Sequence, residues 1–342
     1  MSSARRRIIP VFIPNLGCEH ECVFCDQRLI SGEREPVTPE DVSNVCSEAL
    51  IALADAGESS AAAEVAFYGG SFTALSERRQ NELLEAVQPF LKHNARNSIR
   101  ISTRPDCMDR QAALRLKSFG VGTVELGAQS MCGDVLALSK RGHTAGDVAR
   151  ASGIIKSAGL CLILQMMTGL PGDSREKSLY TAKHIIGLKP DGVRIYPAVV
   201  VRGTRLFEMW RDGSYAEHTV EEAVGLCAEL CALFDEAGIP VIRLGLNPTD
   251  TLSAGGAAAG AYHPAFGELV YSKIYFEKAV SALTGVRPGS GVVITVARGR
   301  VSKMAGHRRG NIHALIEKFS LGSLKIVESD IVSCEIKIEI EA

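Results

Sequence analysis

Short apolar segments rich in β-branched residues alternate with helix-length amphipathic segments through most of the chain, and this alternation restricts the fold more than any other feature. Parallel strands need a crossover connection, usually a helix, so the repetition predicts a parallel sheet with right-handed crossovers. The predicted strands are Ile8–Ile13, Glu64–Tyr68, Ser98–Thr103, Thr123–Ala128, Leu160–Met166, Gly192–Tyr196 and Pro240–Leu244. The predicted helices include Pro39–Ala56, Ser76–Leu91, Arg110–Phe119, Ala145–Ala158, Ser174–Leu188 and Val220–Ala237.

Residues with unusual chemistry follow one predicted strand after another. Cysteines follow the first strand, Gly69–Gly70 the second, Arg104 the third and Gln129 the fourth. A doubly wound sheet would show the same alternation of elements, but residues that converge from many strand ends are typical of a barrel, whose active site lies at the carboxyl face. The predicted fold class is α/β, with a partial or full parallel (β/α) barrel.

The pattern changes after Leu252. Ser253–Gly260 is small and glycine-rich, which predicts a loop. Clean alternation of apolar and polar residues from Val332 to Ile340 predicts a half-buried final strand. Between them we expect a helix at Phe266–Leu283, a strand at Val292–Val296, a helix at Asn311–Phe319 and a strand at Leu324–Val327. The predicted division is a barrel over residues 1–252 and a small C-terminal α+β module over residues 253–342.

Charge and cysteine usage narrow the class of protein. A net charge of −1 argues against a chain that binds nucleic acid over its whole surface, so a polyanion would need a local basic patch. No stretch approaches the ~18 uncharged apolar residues of a membrane-spanning helix, and the amino terminus lacks a secretory apolar region. Ten cysteines in a chain of this size indicate metal binding and packed thiols in a reducing compartment. We therefore expect a cytoplasmic protein.

Three cysteines have a spacing that favours a metal cluster. Cys18, Cys22 and Cys25 form a C-x-x-x-C-x-x-C pattern, with Phe24 directly before the third. Four thiolates normally hold a 4Fe–4S cluster, so three leave one iron open for chemistry. A structural zinc loop with His20 as fourth ligand is the alternative, as is a simple electron-transfer cluster, but zinc sites usually pair two separate ligand couples.

The cysteine spacing resembles the signature of the radical S-adenosylmethionine superfamily. The resemblance implies an enzyme with a 4Fe–4S cluster on Cys18, Cys22 and Cys25. An external reductant would deliver one electron to that cluster. Cleavage of S-adenosylmethionine would give a 5′-deoxyadenosyl radical that abstracts hydrogen from a substrate. It further implies cofactor contacts at the ends of the strands. The residues concerned are Phe24, Gly69, Gly70, Ser71, Ser102, Arg104, Gln129, Arg141 and Met167, with Ser71 standing where the family usually has Glu.

A longer series of segments resembles one branch of the superfamily, the radical domain of the catalytic subunit of Elongator. The matching segments are Ser102–Asp106, Leu126–Ser130, Arg141–Thr144 and Arg194–Thr204. The likeness covers roughly Ile8 to Asp250 and implies transfer RNA, modified at C5 of the wobble uridine, as the substrate class. The cysteine loop is more compact here, and we expect no acetyltransferase domain after the barrel.

Two other functions and several residue roles stay open. Gly-Leu-Pro-Gly at 169–172 also resembles oxygen-independent coproporphyrinogen oxidases, although Gln27 and Arg28 stand where those have a further cysteine. A non-catalytic RNA-binding iron–sulfur protein is the alternative from a different class. Glu125, inside a predicted strand, needs either an arginine partner or a ligand. The basic residues Arg298, Arg300, Lys303, His307, Arg308 and Arg309 could grip phosphates or form a solvated loop.

Overall fold

Seven parallel strands form the main sheet of the computed structural model, which describes residues 7–14, 18, 22–31, 35–58, 61–250, 252–331 and 335–341, without the side chains of 28 and 29. The strand order is β1-β2-β3-β4-β5-β6-β8. Its members are β1 (Arg7–Phe12), β2 (Ala63–Tyr68), β3 (Ser98–Thr103), β4 (Val121–Gln129), β5 (Cys161–Thr168), β6 (Gly192–Pro197) and, after a short β7 (Val199–Val201), β8 (Val241–Leu244). The sheet is a parallel half-barrel, which confirms the predicted fold class.

The two faces of the half-barrel differ in chemistry because side chains alternate along each strand. In β4, Val124 and Leu126 are fully buried against the outer helices. Glu125 points to the other face, where its carboxylate contacts side chains of β2, β3, β5 and β6. The outer face is therefore an apolar core, and the inner face carries polar groups.

Helices connect successive strands, and their starts follow local capping rules. Thr38 and Thr144 each cap a helix through a reciprocal capping box with the aspartate three residues later. The helix predicted over Ser76–Leu91 is instead two helices, because Pro89 lies in the first turn of the second and cannot continue the hydrogen bonds of the first. The helices of this part are α1 (Gln27–Ser31), α2 (Pro39–Asp55), α3 (Glu77–Ala86), α4 (Gln88–His93), α5 (Arg110–Ser118), α6 (Gly133–Leu138), α7 (Ala145–Ser157), α8 (Arg175–Leu188), α9 (Arg205–Arg211) and α10 (Val220–Glu236).

A short two-stranded ribbon replaces part of a predicted loop. Ala257–Gly260 forms β9, which pairs antiparallel with β7. The prediction of a loop throughout Ser253–Gly260 was therefore wrong in its second half. Gly260 allows the close pairing: it has a φ of +86°, and a Cβ atom there would lie 2.9 Å from the Ala198 carbonyl oxygen.

Contacts divide the chain into two compact units, Met1–His218 with Leu233–Tyr262, and Thr219–Ala232 with His263–Ala342. The domain boundary predicted at residues 252/253 stays a prediction. The second unit contains a mixed sheet of order β11-β10-β12 and a core that includes Tyr275, Val292, Ile294 and Leu315. Its elements are α11 (Phe266–Ala282), β10 (Gly291–Ala297), α12 (Val301–Ala305), α13 (Gly310–Phe319), β11 (Ser323–Ser329) and β12 (Ile336–Glu341). Residues 332–334 of the predicted final strand lie outside the described residues.

Within the described part of the chain, no helix combines the length and apolar character that crossing a membrane requires.

Candidate cofactor site and inner face of the half-barrel

The cysteine loop, defined here as residues 18 and 22–25, is anchored by backbone and core contacts on both sides. The backbone N–H of Val23 donates to the Ser139 carbonyl at 3.2 Å, and the N–H of Leu206 donates to the Val23 carbonyl at 2.7 Å. Phe24 is buried with Val23 in a cluster that includes Leu170 and Leu206. This anchoring fixes the backbone that carries Cys22 and Cys25, and all three cysteine residues keep some exposed surface.

Neighbouring polar groups approach the cysteine sulfurs directly. The Arg141 guanidinium donates through Nη1 to Cys22 Sγ at 3.1 Å, and Gln27 Nε2 donates to Cys25 Sγ at 3.2 Å. Burial raises the pKa of Cys25 to about 12, and the Gln27 hydrogen bond works against that rise. Donors that face sulfur stabilise a thiolate, which is the form that ligates iron.

The glycine-rich loop after β2 is tied to the end of β3. Ser71 Oγ lies 3.0 Å from Thr103 Oγ1 and accepts from the backbone N–H of Arg104 at 3.2 Å. The backbone turns at Gly69, whose φ of +86° is one that residues with a side chain rarely adopt. The Ser71 side chain is thus occupied within the protein, and the contact of the Gly69 and Gly70 backbone with S-adenosylmethionine stays a prediction.

Three buried side chains near the cysteine loop each keep one polar atom without a partner among the described residues: Arg104 Nη1, Gln129 Oε1 and Arg141 Nε. Arg104 is otherwise held by Asp106, at 2.6 Å and 3.1 Å. Arg141 Nη2 donates to the Gly127 carbonyl at 2.8 Å. Buried polar groups are normally satisfied, so unfilled donors and acceptors at one place indicate a ligand.

Gln129 is held in an unusual conformation at the end of β4. The register between β4 and β5 shifts between Gly127 and Gln129, and Gln129 has a φ of +62°. A Cβ atom at Gly127 would lie 2.9 Å from Gln129 Nε2 and 3.2 Å from Arg141 Nη2, so a larger residue would displace both side chains. The bulge turns the Gln129 side chain toward Arg141.

The other residues predicted to contact the cofactor, Met167, Ser102 and Phe24, lie near the cysteine loop or at the strand ends. Met167 is half-buried and packs against the Val23–Phe24 cluster. Ser102 is half-buried at the end of β3, one residue before Thr103. The Arg141 guanidinium also lies over the Phe24 ring, 5.9 Å from its centroid. Their roles in binding stay predictions.

The donor set fits a thiolate-ligated cluster with an anionic ligand beside it. Burial and the neighbouring Cys22 raise the pKa of the Cys18 thiol above its ordinary value, and the buried cations Arg104 and Arg141 oppose that rise. Positive charge at this place compensates several thiolates and a carboxylate. Among the described residues, no three His, Cys, Asp or Glu side chains are grouped as ligands of a single metal ion. His20, the fourth ligand of the zinc alternative, lies outside the described residues.

Glu125 is the centre of a second buried cluster, the inner-face network of Glu64, Tyr68, Arg100, Glu125, Gln165 and Arg194. Its carboxylate is fully buried. Oε1 accepts from Arg100 and Arg194, each at 2.6 Å, and Oε2 accepts from Gln165 at 2.7 Å. Of the two roles left open for Glu125, the structure shows the ion pair.

Sequence reasoning missed the arginines and the tyrosine that surround Glu125. Arg100 bridges the two carboxylates, since its Nε donates to Glu64 at 2.7 Å. Tyr68 donates to Glu125 at 3.2 Å. The available signal was the alternation within β2 and β3, which places Glu64, Tyr68 and Arg100 on the face that carries Glu125.

The fold and the candidate site define a class: an α/β half-barrel with a thiol-rich candidate cofactor site at the carboxyl ends of its strands. Family models match the description "Radical SAM superfamily" over residues 12–185 and "Radical_SAM C-terminal domain" over residues 190–275. The chain belongs to the radical S-adenosylmethionine superfamily of enzymes. Membership implies a 4Fe–4S cluster and S-adenosylmethionine as cofactors.

Curated relatives are similar to about half of this chain at most. A tRNA uridine(34) acetyltransferase from Methanocaldococcus infernus is 36% identical over 156 residues, which cover 44% of this chain and 29% of that protein. Its counterpart from Dehalococcoides mccartyi is 38% identical over 136 residues, 39% of this chain and 30% of that protein. Human Elongator complex protein 3 is 34% identical over 169 residues, which cover 47% of this chain and 30% of that protein. The matches thus span less than a third of each of these relatives.

Solved structures share the fold. The archaeal Methanocaldococcus infernus Elp3 with an N-terminal deletion superposes with a TM-score of 0.62 at 24% identity, covering 79% of this chain and 63% of that one. Coproporphyrinogen III oxidase from Escherichia coli, a radical SAM enzyme, gives a TM-score of 0.50 at 17% identity, covering 69% and 54%. Both likenesses concern the fold alone.

Proposed function

We propose that this chain holds a 4Fe–4S cluster on Cys18, Cys22 and Cys25 and acts on a base of transfer RNA. The observation that carries the substrate class is the 36–38% identity to two tRNA uridine(34) acetyltransferases. When bound, the cluster supplies one electron for reductive cleavage of S-adenosylmethionine, which yields a radical able to abstract hydrogen. An external one-electron reductant is required, and the expected location stays cytoplasmic.

Different residues around the cysteine loop hold the cluster and S-adenosylmethionine. Arg141 and Gln27 face Cys22 and Cys25 and stabilise their thiolates. The Gly69–Gly70 backbone is free of side chains and lets a methionyl group approach. Arg104, Gln129 and Arg141 offer the unfilled buried atoms to the polar groups of S-adenosylmethionine. Because these side chains are already positioned, binding costs little reorganisation.

The decisive experiment measures 5′-deoxyadenosine release. Anaerobically reconstituted protein should contain about four irons per chain, and with a strong reductant and S-adenosylmethionine it should release 5′-deoxyadenosine, faster when unmodified transfer RNA is added. Cys22→Ala should lose the iron and the reaction, whereas Cys46→Ala, which removes a buried thiol on α2 far along the chain, should keep both. Release that responds to coproporphyrinogen and not to RNA would replace the substrate proposed here.

A second test concerns how RNA would be held. In the C-terminal unit, Arg298 is paired with Asp330 at 2.7 Å, and Lys303 is paired with Glu268 at 3.3 Å. Arg308 and Arg309 are instead exposed on the turn before α13. They are the basic residues of the predicted patch best placed to meet phosphates.

Arg308→Gln with Arg309→Gln should weaken transfer RNA binding and make the slope of log affinity against log salt shallower by about 0.7 to 0.9 per lost contact. Arg78→Gln on α3 removes one positive charge from an exposed ion pair and serves as the control. An unchanged slope in the double variant would remove this turn from the RNA surface.

A further inference from the structure

One cation on the inner face has no carboxylate partner in the part of the chain that the structure describes. Arg243 of β8 is in register with Arg194 of β6, so both side chains point to the same face. Its Nε donates to the Gly245 carbonyl at 3.2 Å, and its Nη2 donates to the side-chain oxygen of Asn247. Neutral oxygens are thus its partners, although it is half-buried.

The charges of the inner face therefore do not cancel. Glu64 and Glu125 are compensated by Arg100 and Arg194 through three ion pairs of 2.6–2.7 Å. Arg243 adds a third guanidinium beside Arg194. Burial, together with the repulsion from Arg194, lowers the pKa of Arg243, which is the direction expected for a cation that lacks a counter-charge.

The hydroxyl group of Tyr196 adds a hydrogen-bond donor to those of Arg243. Tyr196 Oη accepts from Arg194 Nη1 at 3.2 Å, which leaves its own hydrogen to donate. Tyr196 is also the register partner of Met167, a residue predicted to contact the cofactor. Neighbouring strands lie about 4.8 Å apart, so a group bound by Tyr196 would lie next to the cofactor end of the barrel.

We propose that Arg243 and Tyr196, with Arg194 beside them, form an oxyanion-binding subsite for a phosphate or carboxylate group of the substrate. A guanidinium presents a planar fork of donors that matches such groups. The subsite rests on the proposal that substrate enters the inner face of the half-barrel. It orients the substrate by its charged group and holds the reacting carbon toward the predicted cofactor residues.

The test uses anaerobically reconstituted holoprotein and two probes, inorganic pyrophosphate and succinate, with binding measured by equilibrium dialysis. At least one probe should bind, and Arg243→Gln should weaken its binding at least tenfold, with Tyr196→Phe showing a smaller loss. Arg78→Gln, a change of the same charge on the outer helix α3, should leave binding unchanged. The probe that binds tells a phosphate source from a carboxylate source.

Stability separates a ligand-binding arginine from a structural one. Because Arg243 lacks a counter-charge, Arg243→Gln should leave the thermal midpoint of the ligand-free holoprotein unchanged or raised. Arg194→Gln should lower it, since Glu125 would lose a buried partner. A lowered midpoint in Arg243→Gln, with probe binding unaffected, would overturn the proposal.

Two further outcomes also decide against the subsite. If pyrophosphate and succinate both fail to bind, the subsite does not exist. If S-adenosylmethionine displaces the bound probe, Arg243 binds the cofactor and not the substrate. Deoxyadenosine release with transfer RNA is measured on the same preparations, so the two proposals fail separately. Loss of RNA-stimulated release with Arg243-dependent probe binding intact contradicts the RNA substrate and leaves the subsite standing.

Discussion

Two buried polar clusters occupy the half-barrel, and they differ in how completely their hydrogen bonds are filled. In the inner-face network both carboxylate oxygens of Glu125 have partners, two of them arginines at 2.6 Å, and one buried atom, Arg194 Nε, lacks a partner among the described residues. Around the cysteine loop, Arg104, Gln129 and Arg141 each retain a buried atom without one among the described residues. The inner-face network, with its central carboxylate fully paired, supports the fold by itself, whereas the cluster at the cysteine loop gives up stability to keep donors ready for a ligand.

Removing the carboxylate at the centre of the inner-face network should have the largest effect on stability. Glu125→Ala leaves Arg100 and Arg194 buried without their shared counter-charge, and we expect a loss of about 3–5 kcal/mol in the free energy of unfolding. Urea unfolding of the iron-free protein measures it. Glu82→Ala, which breaks the exposed pair with Arg78, should change little. A comparably small loss for Glu125→Ala would show that the network is not a source of stability.

The pH dependence of unfolding should report His143, which lies directly before Thr144, the residue that caps α7. His143 Nε2 lies 3.1 Å from the Ala128 carbonyl oxygen, and burial together with Arg141 lowers its pKa from 6.5 to about 4. Below about pH 6.5 the His143 side chain takes up a proton in the unfolded chain but not in the folded protein. Stability therefore falls as the pH is lowered. We expect a loss of about 2 kcal/mol between about pH 6.5 and pH 5.

His143→Gln should flatten that part of the stability curve, while His184→Gln, a change at an exposed histidine of α8, should not. Equal slopes in wild type and His143→Gln would mean that His143 takes up its proton in the folded protein as readily as in the unfolded chain.

Gly69 and Gly70 should differ in the loss of stability that an alanine substitution causes, by less than the effects above. Gly69→Ala should cost about 1–2 kcal/mol because its φ of +86° is unfavourable for a residue with Cβ. Gly70 is not among the glycines with positive φ, so Gly70→Ala should stay within about 0.5 kcal/mol. Gly70→Leu should instead weaken S-adenosylmethionine binding with the iron content unchanged. Equal destabilisation by the two alanines would contradict this account of the turn.

Arg141→Gln should have a small effect on folding. It removes the hydrogen bond to the Gly127 carbonyl, worth about 1 kcal/mol, and with it a guanidinium whose Nε is already unsatisfied. Binding of S-adenosylmethionine to the holoprotein should nevertheless weaken at least tenfold. A stability loss as large as that of Glu125→Ala would erase the distinction between the two clusters.

The sequence predicts the half-barrel well because the relevant signals are local. β3 has the predicted bounds, Ser98–Thr103, and α7 begins after the Thr144 capping box. The ribbon of β7 and β9 was missed because small residues such as Ala257–Gly260 carry no strand signal of their own, and their pairing is with a distant segment. Local pattern likewise singles out Glu125 but not Arg194, which lies 69 residues away.

The backbone of Gln129 has a consequence for how this enzyme could be altered by selection. At a φ of +62°, glycine would relieve strain of about 1 kcal/mol. A library sorted for thermal tolerance should therefore enrich Gln129→Gly, and one sorted for turnover should reject it. Directed evolution that selects for thermal tolerance and turnover together should leave codon 129 fixed and find stabilising changes in the outer helices.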